Sequence, residues 1–328
     1  MRAFLSGLFV VWLASGPSAY AVVNYSTGTN SPTYNTAAPT GSNIANWTTG
    51  WTQPSPEPTG YTYTTGWNYV GYVNNANGVG GGVYIGNGWV LTASHVIFAS
   101  SPSTYIPSTF YLNGVVYQEA PDTVQVYYNT SGTYSGKQAD VIAFRLTTWP
   151  NLPALPIRTS DPVASSNSCA MIGYGDGAGH TTETWGYNLV NYINEPVNST
   201  GSSYLGSSFS YFSNDFLTLE GADSGGNVYN TVTGDSGGGV FIYNSTSRQW
   251  ELAGIMNVSG TAQPAGPSGP TDPLGGFVQL DTYYSQLQQL ANWTPPIDSP
   301  TMPQWGLILL GLVLVFAAAS QLADTRRA

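Results

Sequence analysis

An all-β architecture, a sandwich or a pair of barrels, is what this sequence predicts, on three observations. Short β-branched and aromatic runs recur from Gly66 onward: "WNYVGYV", "GGVYIG", "WVLTASHVIF", "TFYLNGVVYQ", "TVQVYYN", "ADVIAFRL", "CAMIGYG", "YNLVNYI", "DFLTLE", "GVFIYN" and "WELAGIM". Gly, Asn, Asp and Pro turns separate them, which gives roughly eleven strands at the spacing of such folds. Helical periodicity is confined to "LDTYYSQLQQL", where Leu280, Tyr283, Leu287 and Leu290 fall on one face and Asp281 or Thr282 is placed to cap the N-terminus.

The N-terminal stretch "MRAFLSGLFVVWLASGPSAYAVV" has a basic start at Arg2, an apolar run from Leu5 to Ala14, and Ala19-Tyr20-Ala21. These are the three parts of a secretory signal peptide, residues 1–21, cut after Ala21, so the mature protein is expected outside the cytoplasm. Residues 22–65 are rich in Thr, Asn, Ser, Pro and Gly, and a mobile arm or a loosely packed extension is expected there. Residues 66–290 make up the β domain and its helix, and 291–302 a Pro-containing linker.

The last segment, 303–328, runs apolar from Trp305 to Ser320 and ends on Arg326-Arg327. Sixteen helical residues rise about 24 Å, against a hydrocarbon core of about 30 Å. Extension through Ala323 brings 305–323 nearer to spanning, with the terminal arginines on the cytoplasmic side. The expectation is a chain exported to the cell envelope or beyond and held, at least transiently, by a C-terminal membrane helix.

Charged residues are 7% of the chain, and the net charge of −10 reflects a shortage of bases. Only Lys137, Arg145, Arg158 and Arg248 lie between Arg2 and Arg326. Phosphate backbones need a basic footprint, so nucleic acid is excluded as a partner. One cysteine, Cys169, rules out internal disulfides and cysteine-rich metal centres and reads as a small buried hydrophobe.

Chemistry concentrates around "NTVTGDSGGGVF", residues 230–241, where a serine stands among glycines with an aspartate beside it. A serine nucleophile needs an imidazole base within hydrogen-bonding reach. Two histidines exist: His95 at the end of the apolar run "GWVLTASHVIF", and His180 in the polar loop "GDGAGHTTET". A strand end fixes a ring better than a polar loop, which favours His95.

The blocks "LTASHV" (91–96), "ADVIAFRL" (139–146) and "TGDSGGGVF" (233–241), in that order, resemble the three catalytic blocks of the trypsin/chymotrypsin-like serine peptidases. "GGGVYIGNGWVLT", "CAMIGYGDG", "LAGIMNVSG" and "GGFVQLDTYYSQL" extend the likeness over about 66–292. The resemblance implies two six-stranded antiparallel β-barrels with a C-terminal helix. It assigns Ser236 as nucleophile, His95 as its base and Asp140 as the acid orienting the imidazole. The amides of Gly234 and Ser236 would form the oxyanion hole, Gly237 and Gly238 would keep the substrate side free of Cβ atoms, and Asp235 would be buried to hold the turn.

By the same resemblance Asn230, with Thr231 beside it, forms the base of the primary specificity pocket. Ser259 and Gly260 line its wall, and Asn257, Val258 and Ser259 pair with the substrate as an added strand. No carboxylate stands at Asn230, so a neutral residue is expected on the acyl side of the cut bond. Ser224 in "GADSGGN" is a rival nucleophile, but Ala222 replaces the oxyanion glycine there. Asp122 and Asp161 are rival acids and read better as turn residues.

The chemistry requires no metal or organic cofactor, and its partners are protein or peptide substrates. "PTMPQWG" followed by the apolar helix and Arg-Arg resembles bacterial sorting signals of the PEP-CTERM/IPTL-CTERM kind, which implies an exosortase-type processing enzyme as a further partner. Many serine peptidases of this family are activated when a freed apolar N-terminus pairs with the acid before the serine. Signal cleavage would here free Val22-Val23, and the residues alone leave open whether that end docks on Asp235. Two other functions compete with catalysis: a silent protease-like module binding envelope components, and an adhesive envelope protein using its Tyr/Asn-rich face.

Overall fold

The computed structural model describes residues 22–24, 66–76, 78–101, 104–105, 107–175, 182–202, 208–219, 229–231, 234–244, 246, 249–262 and 272–291. The signal peptide, most of the arm, the linker and the segment 303–328 with its expected membrane helix lie outside the described residues. Among the described residues, no helix is long and apolar enough to cross a membrane.

Two antiparallel sheets carry the structure. The chain enters with β1 (Val23–Asn24), and after a single 3₁₀ turn at Gly66–Tyr69 forms β2 (Val70–Asn75), β3 (Gly78–Gly86) and β4 (Trp89–Thr92). One helical turn, α1 (Ser94–Ile97), follows, then β5 (Phe98–Ser101) and β6 (Thr104–Tyr105), which pair only with each other. β7 (Thr109–Leu112), β8 (Val115–Gln118), β9 (Gln125–Tyr128) and β10 (Gln138–Arg145) complete the first sheet, in the order β8-β7-β2-β3-β4-β10-β9.

That sheet departs from the expected six-stranded barrel. It has seven strands and stays open, with β8 and β9 as edges. β8 reaches β10 only at its end, through the Glu119–Leu146 bridge and the bonds Ala120 N–H to Arg145 O (2.6 Å) and Thr147 N–H to Gln118 O (2.9 Å). The reason is visible in the side chains: Val115 and Val116 of β8 are about half exposed, so this strand has no inward face to bury along its length. β10, by contrast, is buried at every position from Ala139 to Phe144, and so reads as an apolar run broken only by Asp140.

The second sheet is a ring of six strands. β11 (Ser168–Gly173), β12 (Thr184–Ser202), β13 (Ser208–Leu219), β17 (Asp272–Gln279), β16 (Gln249–Ala262) and β15 (Gly239–Asn244) are hydrogen-bonded in that order and close on themselves; β14 (Tyr229–Asn230) pairs only with β1. Its interior is filled by Cys169, Met171, Val190, Phe216, Val240, Ile242, Ala253, Met256 and Phe277. Cys169 is fully buried, as expected of a small hydrophobe.

Val22 belongs to the same cluster and is itself fully buried. The start of the arm is thus core, against the loose packing expected for it. The pairs Val23–Asn230 and Asn24–Tyr229 tie it down.

The C-terminal helix α2 (Tyr284–Ala291) forms where expected, with Leu287 and Leu290 buried. Asp281 and Thr282 do not cap it. They lie inside a preceding 3₁₀ turn, Leu280–Tyr283, whose leading residue Gln279 makes no side-chain capping bond. Burying Leu280 and Tyr283 draws the chain into that tighter turn, and Tyr283 then reaches Asn129 with its hydroxyl (2.8 Å).

Candidate active site

β4 is buried along its whole length and delivers the chain to α1 against β10. The register Thr92–Ile142 between β4 and β10 sets Asp140 opposite the first residues of α1. The Ser94 hydroxyl donates to Ala139 O (3.0 Å) and fastens the turn there. Asp140 is fully buried, and both its oxygens act on His95: Oδ1 accepts the backbone N–H (3.1 Å) and Oδ2 meets ring Nδ1 (2.8 Å). An ionised Asp140 is an acceptor only, so Nδ1 carries the proton and Nε2 is left as the basic nitrogen.

About a fifth of the His95 side chain (22%) stays exposed, which leaves the ring approachable. Burial opposes charging that imidazole, but the Asp140 carboxylate and its hydrogen bond outweigh burial and hold the ring above its usual 6.5.

Ser236 sits in a turn made by its glycines. Gly234 has φ +96° and Gly237 φ +88°, a region costly for residues with a Cβ. Gly238 N–H closes the turn on Asp235 O (2.8 Å), and Gly237 N–H donates to Met256 O of β16 (2.7 Å).

The turn lies directly on the first sheet. Gly81 N–H of β3 donates to Ser236 O (2.6 Å), and Thr92 Oγ1 donates to Gly81 O (2.7 Å). A Cβ on Gly80 would stand 2.7 Å from Val96 and 2.8 Å from Ser236 O. The neighbour of His95 and the main chain of Ser236 therefore meet over one glycine. Gly80 and Gly81 were not singled out as site residues, although consecutive glycines inside a strand pattern signal a close backbone approach.

Asp235 is 1% exposed. Its Oδ1 accepts from Gly175 N–H (3.1 Å) and its Oδ2 from Val22 N–H (3.0 Å). Sequence reasoning left the second of these partners open.

The expected substrate-binding residues are only partly assembled. Thr231 is buried and its hydroxyl points at Val258 O (3.4 Å). Asn230 pairs with Val23 in β14. Asn257 is 4% exposed and turns its amide onto Ser213 of β13 (3.2 Å). Val258 packs with Val197, Leu217 and Leu274. Ser259 is half-buried.

The backbone fits an added strand better than these side chains do. β16 pairs with β15 only as far as Ile255–Gly239, while pairing with β17 continues to Ala262–Asp272. Past Ile255, Met256 still exchanges bonds with the turn, donating to Gly238 O (3.0 Å) and accepting from Gly237 N–H (2.7 Å); from Asn257 onward no described strand pairs with that edge. Ser224 and His180, the rivals to Ser236 and His95, lie outside the described residues. Asp122 is a turn residue at φ +58°, and Asp161 accepts from Asn194 (3.0 Å). Among the described residues there is no group of three or more His, Cys, Asp or Glu side chains placed to hold a metal ion.

The trypsin family model matches residues 58–272. Similar solved structures include the Rv3671c protease from M. tuberculosis in its active form, at 17% identity over 71% of this chain and 84% of that one, with a TM-score of 0.43. A Glu endopeptidase in complex with MPD is 13% identical over 69% of this chain and 92% of that one, with a TM-score of 0.44. No curated protein matches the sequence. The family match spans well over half of the chain and takes in the His95–Asp140 pair and the Ser236 turn: this protein belongs to the trypsin family of serine peptidases.

Proposed function

We propose that this chain is an exported serine endopeptidase working through Ser236, His95 and Asp140. The observation that carries the reading is the pair of hydrogen bonds that His95 donates to Asp140, with the Ser236 turn seated on Gly81 beside that helix. Ser236 Oγ attacks the scissile carbonyl as His95 Nε2 takes its proton. The amides of Gly234 and Ser236 receive the oxyanion, each contributing about 3 kcal/mol. His95 then protonates the leaving amine, the C–N bond breaks, and water hydrolyses the acyl-enzyme by the same route.

The substrate strand adds to the edge of β16 after Met256, where no described strand pairs with it. The P1 residue is neutral, since nothing acidic stands at Asn230 or Thr231. The mature chain begins at Val22, and residues 305–323 anchor it until an exosortase-type enzyme acts on the C-terminus. Those last two points rest on sequence pattern.

A fluorophosphonate probe tests the reading. Folded wild-type protein should label, and Ser236→Ala should not. Absence of labelling in the folded wild type, or unchanged labelling of Ser236→Ala, would overturn it. Mass spectrometry of the mature C-terminus distinguishes a retained anchor from a processed one.

A further inference from the structure

Behind the His95–Asp140 pair lies a second carboxyl that the reaction above does not use. Asp215 is on β13, which packs against β10, the strand carrying Asp140. It is fully buried, and neither of its oxygens completes a hydrogen bond. Ser213 and Asn257 are near enough to ease its ionisation but do not complete bonds to it. Asn257 gives its Nδ2 to Ser213 Oγ (3.2 Å), and its Oδ1 is left without a partner. On the β17 side, Asp215 Oδ2 lies 3.3 Å from where a Gly276 Cβ would stand, so the carboxyl packs against a residue that has no side chain.

Among the described residues, the groups around Asp215 offer no compensating cation. Asp140 faces it from β10, Tyr134 from the turn before β10, and Tyr283 from the 3₁₀ turn before α2. Glu195 stands opposite it in register on β12, and Tyr211 adjoins Asp140. Lys137, in the same region, lies over the Phe212 ring with its Nζ 5.9 Å from the centroid. Burial first, and the Asp140 charge after it, push the Asp215 carboxyl up to about 7. An ionised Asp215 would be a buried, uncompensated anion beside an acceptor, Asn257 Oδ1, that also lacks a hydrogen. One proton resolves both defects.

We propose that Asp215 is a positioning residue that carries a proton into the pH range where His95 becomes basic, donates it to Asn257 Oδ1, and so braces β16 behind Asp140 without adding a second negative charge there. The proposal rests on the reading of His95 and Asp140 as the working pair. Asp215 then ionises across the same range, and its charge adds to that of Asp140 in holding the proton on His95, so the free-base form of His95 accumulates over a wider and higher pH range than a lone histidine would give.

The test is the pH profile of kcat/KM for wild type and Asp215→Asn, which keeps a donor for Asn257 and removes the titration. The wild-type acid limb should be broad. In the variant it should contract to a single ionisation at lower pH, with kcat/KM on the alkaline plateau within about threefold of wild type. An unchanged limb, or a uniform loss of more than tenfold in folded variant, would overturn the proposal. Infrared spectroscopy of the wild-type protein needs neither activity nor a folded variant: a protonated carboxyl band should persist at pH 6 and vanish by pH 9. Its absence at pH 6 would overturn the proposal and leave the Ser236 labelling result untouched.

Discussion

Val22 and Asp235 lie 213 residues apart in the chain, yet the Val22 nitrogen donates to Asp235 Oδ2 at 3.0 Å. Two further features make this a junction and not a passing contact. Val22 is fully buried in the core of the second sheet, and it has φ +27°, an outlier for a β-branched residue. A free α-amino group has no φ, so cutting after Ala21 would relieve that strain. The cut would also turn a neutral N–H into an ammonium, and the hydrogen bond into a buried ion pair next to Ser236.

The first prediction follows from that pair. Protein whose chain starts at Val22 should be fully active. A single residue retained before Val22 should leave the fold but cost activity by more than about a hundredfold, since breaking a buried pair costs about 3–5 kcal/mol. Asp235→Asn should do the same. The measurements are N-terminal mass and fluorophosphonate labelling rate on the three proteins. Equal rates would show that the ion pair does not shape the site.

The second concerns the imidazole. Asp140→Asn should lower kcat by about 10⁴, because the wrong ring tautomer is then held. The sign of the pH effect also follows. Asp140 raises the His95 pKa in the folded state, so the pair's stabilisation is complete below 6.5 and is lost as pH rises through the folded value. Thermal unfolding should show the wild-type advantage over Asp140→Asn shrinking with rising pH across that window. kcat/KM, which needs the neutral ring, should rise there.

A third prediction is specificity. With Thr231 buried and hydrogen-bonded and Asn230 engaged by β1, neither residue at the expected pocket base carries a charge to meet a charged P1 residue. Peptide libraries should be cut after neutral residues, and a profile dominated by Arg, Lys or Glu would contradict this. Asn230→Asp should leave wild-type preferences in place and add cleavage after Lys and Arg, as a new carboxylate supplies the missing counter-charge.

What the sequence made legible was the local structure around the candidate residues, which depends on neighbours in the chain. Ser236 among its glycines and His95 at a strand end are local patterns, and the turn and helix form where those patterns stand. Asp140 was legible because a carboxylate interrupts an otherwise apolar, doubly buried strand. Contacts decided by tertiary packing were not legible. Val22 sits in a stretch whose composition argues for a loose arm, and only a distant partner makes it core. Asp215 lies in "SNDFLTL", where nothing local distinguishes a buried carboxyl from an exposed one. The strands β12 and β13 run to 19 and 12 residues through Asn- and Ser-rich sequence, because ladder bonding, not apolar alternation, extends them. The openness of the first sheet was likewise hidden, since a strand pattern does not say whether its last member finds an edge to close on.

The last prediction concerns the seam between the two sheets, which depends on missing side chains. A Cβ on Gly81 would strike the Gly238 backbone, and one on Gly237 would strike Gly81 O and Thr92 Oγ1 while the residue stays at φ +88°. Neither obstacle is the tip of a flexible side chain, so the turn bearing Ser236 must lift off β3. Gly81→Ala and Gly237→Ala should each cost stability at or beyond the upper end of the about 1–3 kcal/mol typical of overpacking. They should also abolish fluorophosphonate labelling even at temperatures where the variants remain folded. Gly114→Ala is the control: it too has positive φ (+77°), but nothing lies within 4 Å of the added methyl. It should cost about 1–2 kcal/mol from backbone strain alone and label at the wild-type rate. If Gly81→Ala labels as fast as Gly114→Ala, the Gly81–Ser236 hydrogen bond does not hold the nucleophile, and the seating of Ser236 beside His95 has another cause.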